Sequence, residues 1–209
     1  MVSYGMTAGH YLARARLRLA EGTHEGLFYA AFELRCGIES RLREYLRALD
    51  NVSEKKRNGW KVAQLASDLE AVFGMGDRYV EIGVLDPDTG RLLRAFYYTP
   101  VTGALRQAAE RLGDYLHAMK RYRLDADPYW AEMQTFLVQV ADDLSVATRG
   151  TLMGPPMLDE RRQLKMTIEV PGSDGAPDIS FARPGTKAVL GVRYHDAPPE
   201  GLIAPSESG

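Results

Sequence analysis

The sequence predicts a mainly helical fold of the α+β class, a helical bundle that carries a β-hairpin and is followed by a small C-terminal β segment. Three observations lead there. Apolar residues recur at helical spacing through most of residues 1–150, the pattern changes to strand, turn, strand at 78–98, and short strand-like runs return only after 160.

The first helix, from about Ala8 to Ala20, places Leu12, Ala15 and Leu19 on one stripe with Arg14, Arg16 and Arg18 interleaved. Glu21-Gly22-Thr23 breaks it. A second helix reaches about Leu49 on a stripe of Leu27, Ala31, Leu34, Ile38, Leu42, Tyr45 and Leu49, close to a seven-residue repeat. With so short a turn between them, the two should lie antiparallel and bury their stripes together. Asn58-Gly59 breaks the basic patch Lys55-Lys56-Arg57, and a short helix with Leu65, Leu69 and Val72 then ends at Gly74-Met75-Gly76, a glycine cap.

At Arg78 the period changes. Residues 79–85 and 92–98 flank Asp86-Pro87-Asp88-Thr89-Gly90, the mark of a hairpin. Thr102 opens a helix expected to run to about Arg121, with Leu105, Ala108, Ala109, Leu112, Leu116 and Met119 as its apolar side. Asp127-Pro128 starts the next, with the carboxylate as cap and proline in the first position. Its seam of Trp130, Met133, Leu137, Val140, Leu144 and Ala147 calls for a partner helix, in the same chain or in a second copy.

Gly150 stops that helix and Gly154-Pro155-Pro156 marks a linker. Leu164–Val170 and Ala188–Tyr194 read as strands separated by PGSDGAPD, and residues 197–209, with three prolines and no aromatic residue, read as a disordered tail. The expected organisation is a helical domain over 1–150 that contains the hairpin, a β-containing extension over 151–196, and the tail.

Composition bounds the function. Of 209 residues 45% are hydrophobic, enough for a real core, and 26 basic side chains against 28 acidic ones leave a formal charge of -2. A polybasic nucleic-acid coat is excluded, while a local basic patch is not. Arginine outnumbers lysine 20 to 6, which favours planar recognition of phosphates and carboxylates, although codon usage in a GC-rich genome gives the same skew. Cys36 is the single cysteine, so no internal disulfide and no cysteine-based zinc site can form; beside an apolar stripe it reads as a small buried hydrophobe. No leader-like segment opens the chain and no uncharged run approaches bilayer length, so the expected location is the cytoplasm, with no membrane contact.

The four histidines are His10, His24, His117 and His195. Arg18 to His24 and Arg111 to His117 share one spacing, an arginine, five residues, a histidine. The first crosses the break at Gly22, where a solvated histidine is the ordinary outcome. The second falls within the expected 102–121 helix, where about 100° per residue puts Asp114 near -60° and His117 near -120° from Arg111, away from the apolar side. Such a band is either a solvated face or a site in which histidine moves a proton while arginine holds a phosphate.

HYLARARLRLAEGTHEGLFYAAFELRCGIESRLREYLRAL followed by LRQAAERLGDYLHAMK resembles the HEPN superfamily, marked by arginine, four to six residues, histidine near the end of an all-helical core. The resemblance covers about residues 8–50 and 102–121. It implies a HEPN-like helical bundle that forms a homodimer and joins two such motifs into a metal-independent endoribonuclease, in a toxin, defence or stress setting and with no cofactor. The RNA 2′-OH would attack the adjacent phosphate, with His117 as the proton-transfer group, Arg111 as the phosphate ligand and Asp114 orienting either one. A cognate inhibitor or partner protein fits the same setting. The family also contains non-catalytic nucleotide- or protein-binding dimers, the alternative for this chain; a helical scaffold assembled through the 130–147 seam is another.

Lys120, Arg121 and Arg123 are placed to contact RNA backbone, or simply to favour a helix end. Arg35 and Glu39, four residues apart in the cluster Glu33, Arg35, Glu39, are expected to pair. Phe96-Tyr97-Tyr98 suits either base stacking or a strand with one packed face. No glycine-rich phosphate loop, His-Glu-x-x-His motif or Gly-x-Ser-x-Gly elbow occurs.

Overall fold

The computed structural model describes residues 5–49, 52–54, 61–118, 122–158, 164–165 and 189–203. They fall into two compact units, a helical one from within 1–76 and 101–148 and a β-containing one from within 77–100 and 149–209.

Local signals set the helices described in the first unit. Helix α1 (Ala8–Ala20) begins at Thr7, whose hydroxyl accepts from the His10 amide, and α2 (His24–Arg47) begins at Thr23, whose hydroxyl accepts from the Gly26 amide at 3.0 Å. Gly22, at φ 66°, supplies the left-handed residue of the turn between them. Helix α3 (Val62–Phe73) ends on Gly74 in the left-handed region. Helix α4 (Gly103–Tyr115) is capped by Thr102, which accepts from the Leu105 amide at 3.2 Å. Helix α5 (Pro128–Thr148) starts on its proline, with the Asp127 carboxylate accepting from the Tyr129 amide at 3.0 Å.

Helix α4 stops short of the expected end at Arg121. Gly113 weakens its last turn, the Leu116 amide closes back on the Gly113 carbonyl at 3.1 Å, and Leu116 is 41% exposed. Leu105, Ala109 and Leu112 are buried, so the helix ends where its apolar side runs out of partners. Met119 lies outside the described residues.

Helix α2 is the central element and packs against α1, α3, α4 and α5. Leu34, Ile38 and Leu42 are fully buried along it, as are Met133, Leu137, Val140 and Leu144 along α5, which also packs on α1. Each such side chain contributes about 1.5–3 kcal/mol. The α5 seam is therefore spent within the chain, and close approach requires glycine at position 37, where a Cβ would lie 2.8 Å from Leu144 Cδ2. A buried arginine, with no signal in the sequence, adds a polar tie. Arg41 Nε donates to the Ala147 carbonyl at 2.9 Å and Nη1 pairs with Glu44 at 3.0 Å, while Glu44 accepts from the Ala8 amide at 2.7 Å.

In the second unit, strands β1 (Tyr79–Leu85) and β2 (Leu92–Tyr98) form the expected hairpin. Strands β3 (Met157–Leu158) and β4 (Leu164–Lys165) make a small antiparallel pair, and β5 (Val189–His195) joins the free side of β1 antiparallel, with Val192 opposite Ile82. The sheet order is β2-β1-β5. The hairpin thus groups with the C-terminal segment and not with the helices expected to enclose it. Two strands alone are marginal, and a third gives both sides of β1 a partner.

The segment from 197 is not wholly a tail. Helix α6 (Glu200–Ile203) buries Leu202, and the Arg149 guanidinium donates to the Leu202 and Ile203 carbonyls at 3.2 and 3.0 Å. Residues 204–209, the remainder of the strand expected over 164–170, PGSDGAPD, Ala188 and the patch Lys55-Lys56-Arg57 with Asn58-Gly59 lie outside the described residues.

Candidate nucleic-acid interface

Arg111 lies in the last turns of α4, exposed, with its guanidinium 4.0 Å above the Phe136 ring of α5. From there a chain of rings runs across the helical unit. Tyr115 meets Phe136 at 6.1 Å and Tyr129 at 6.3 Å, Tyr129 meets Trp130 edge-on at 5.1 Å, and Trp130 stacks on His24 at 3.8 Å with 10° between the planes. Phe28 completes the cluster, edge-on to Trp130 at 6.0 Å. Each ring pair contributes about 0.5–1.5 kcal/mol beyond its buried area.

A second guanidinium sits on the same cluster. Arg123 lies 3.7 Å above Tyr129 and pairs with Asp127 at 3.2 Å. Burial, then Tyr115, pushes the Tyr129 hydroxyl above its ordinary value, while Arg123 and Arg111 both pull it down. The two arginines therefore act on one phenol from two elements. A guanidinium laid on a ring by its face keeps its N–H edge for an anion, as the exposed Arg111 does, whereas the mostly buried Arg123 already gives an N–H to Asp127.

The expected triad is only partly assembled. Asp114 is exposed on α4 and makes no hydrogen bond, ion pair or ring contact with a described residue. His117 is also exposed and without such contacts, but lies beyond the end of the helix, so the helical angle expected for it does not apply. Lys120 and Arg121 lie outside the described residues. The expected Arg35–Glu39 pair does not form. Arg35 reaches across to the Ala109 carbonyl at 2.6 Å, Glu39 pairs with Arg43, and Glu33 pairs with Arg14 at 2.9 Å. A tertiary acceptor draws Arg35 away, and Glu39 takes the other local partner four residues along α2. Cys36 is half-buried, and burial with Glu33 pushes its thiol up against the opposing pull of Arg35, Arg43 and Arg14.

His24 was expected in a solvated turn. Instead it is the first residue of α2, with its ring on Trp130 and Nδ1 3.7 Å from the Asp125 carboxylate. The Trp130 indole N–H donates to the Leu124 carbonyl at 3.0 Å, which ties the segment before α5 to the same cluster. The one sequence signal for this end was the density of rings at Tyr129, Trp130 and Phe136.

Elsewhere in the helical unit an open groove of about 640 Å³ runs between α3 and α4, lined by Ala63, Ala66 and Gly103 with Glu70, Arg106 and Glu110. It holds none of the expected site residues. In the sheet, Phe96 and Tyr97 are half-buried and Tyr98 is buried, as a packed strand requires. Among the described residues no three His, Cys, Asp or Glu side chains converge where a metal ion could be held, and no helix is long and apolar enough to cross a membrane.

Compared with known proteins, the chain matches no family model, no curated protein sequence and no solved structure.

Proposed function

We propose that the helical unit is a HEPN-like module that binds single-stranded RNA at its arginine–aromatic end and, as a homodimer, cleaves that RNA without a metal. The supporting observation is the Arg111 guanidinium 4.0 Å above Phe136, continued by Tyr115, Tyr129 and Trp130, with Arg123 on Tyr129. Single-stranded RNA offers both complements of such a surface, unstacked base faces for rings and phosphates for guanidinium edges. A chain of net charge -2 must make such a contact focally, and two ring-mounted arginines supply the focus. A toxin, defence or stress role follows from the resemblance.

A second reading is binding without cleavage, and the position of His117 favours it. Beyond the helix end, that imidazole has no partner among the described residues to fix its orientation.

Fluorescence anisotropy with a short labelled single-stranded RNA tests binding. Arg111→Ala and Arg123→Ala should each raise Kd about tenfold, equivalent to about 1.4 kcal/mol. Failure of the intact protein to bind, or Kd values unchanged in both variants, would remove the proposal. The same mixtures held in EDTA and run on a gel separate cleavage from binding alone.

A further inference from the structure

We infer that His24, and not His117, is the proton-transfer residue at this end of the helical unit, held for that role by its stack on Trp130. The inference rests on the RNA-cleaving reading above and deepens it. A general base needs an imidazole that solvent and substrate can reach, in an orientation fixed by its surroundings. His24 meets each requirement. Its side chain is 34% exposed and its ring lies against Trp130 at 3.8 Å and nearly parallel; the Asp125 carboxylate lies 3.7 Å from Nδ1, beyond hydrogen-bond range but close enough to favour an imidazole that has taken up a proton. Trp130 is itself anchored through Leu124, so ring and carboxylate come from one short segment. Among the described residues none supports His117 in this way.

The same segment carries a guanidinium, already paired with Asp127. Arg123 lies on Tyr129, Tyr129 abuts Trp130, and Trp130 abuts His24, so Arg123 is two ring contacts from the imidazole and Arg111 lies farther along the chain of rings. In the step itself the RNA 2′-OH attacks the adjacent phosphorus and its proton passes to the His24 imidazole. The new O2′–P bond forms as the P–O5′ bond breaks. The departing 5′ oxygen takes a proton from solvent, and His24 returns its own to solvent. The products are a 2′,3′-cyclic phosphate end and a 5′-hydroxyl end, with no oxidant, reductant or co-reactant.

The test uses the full chain, a labelled single-stranded RNA of mixed sequence and EDTA, with cleavage rate and Kd read separately. His24→Phe keeps a ring on Trp130 and cannot carry a proton. It should bind RNA with an unchanged Kd and lose cleavage by at least about 100-fold. His117→Ala should cleave within a few-fold of wild type. Asp125→Asn, acting through His24, should lower kcat about tenfold with KM unchanged. Cleavage by His24→Phe at the wild-type rate, or a wild-type chain that binds RNA and leaves it whole, would overturn the inference while RNA binding stands. A wild-type chain that binds no RNA would overturn both.

Discussion

Tyr129 reports the charge of the surface it stands in. Burial and Tyr115 push its hydroxyl up, and Arg123 and Arg111 pull it back. Removing one guanidinium should therefore move the phenol further up, because a nearby cation favours the phenolate. A tyrosinate absorbance titration of Arg111→Ala, with Tyr129→Phe to assign the signal, reads this directly; an unmoved titration would place Arg111 out of reach of the cluster. Arg41 plays a different part, structural and buried. Arg41→Ala strips the Ala147 carbonyl and Glu44 of a donor at 2% exposure, and should lower stability by about 3 kcal/mol in urea unfolding. A loss below about 1 kcal/mol would mean that water replaces it freely. Arg111 stood out in the sequence because a histidine followed at a suggestive spacing. Nothing marked Arg41, whose partner lies at the far end of another helix, or the stack of His24 on Trp130, since no local pattern encodes a contact between distant segments.

At the scale of elements, boundaries were legible where a cap or a change of period marked them. Thr7, Thr23 and Thr102 each cap the helix that the apolar spacing begins, and the shift from period 3.6 to period 2 locates both hairpin strands. The end of α4 was not legible, because Leu116 and Met119 continue the helical period whether or not anything covers them. The α5 seam left two partners open, and packing on α1 and α2 decides between them. Leu137→Ala should accordingly cost about 3 kcal/mol and leave the mass in light scattering unchanged; dissociation of an otherwise stable fold would restore the scaffold reading. The hairpin turn carries a pH dependence. Asp86 accepts from the Thr89 amide, the Thr89 hydroxyl and the Asp88 amide, and these bonds hold its carboxyl below the ordinary aspartate value. A carboxyl depressed in the folded state stabilises the turn above its unfolded value, and that stability is lost as pH falls through the folded one. Protection of the hairpin amides from exchange, relative to their intrinsic rates, should therefore fall in acid for the wild type and lose this dependence in Asp86→Asn; identical acid profiles would show that the three bonds contribute nothing.

Over the whole molecule, the residues that carry the family resemblance, about 8–50 and 102–121, fall within one unit, and the hairpin between them belongs to the other. That division was hidden because β5 joins β1 across more than half of the chain, and nothing in the local sequence pairs Val192 with Ile82. The near-zero net charge gains meaning from the same division. Any contact with a polyanion has to be concentrated, and the proposed reading places it at one end of the helical unit, where Arg111 and Arg123 lie on the ring cluster. Ultraviolet crosslinking of a single-stranded RNA to the full chain, with the crosslinked residues located by mass spectrometry, tests this claim most directly. Crosslinks should map to Tyr115, Tyr129, Trp130 or Phe136 and disappear when Arg111→Ala and Arg123→Ala are combined. Crosslinks confined to α3 or to the sheet, or none at saturating RNA, would contradict it.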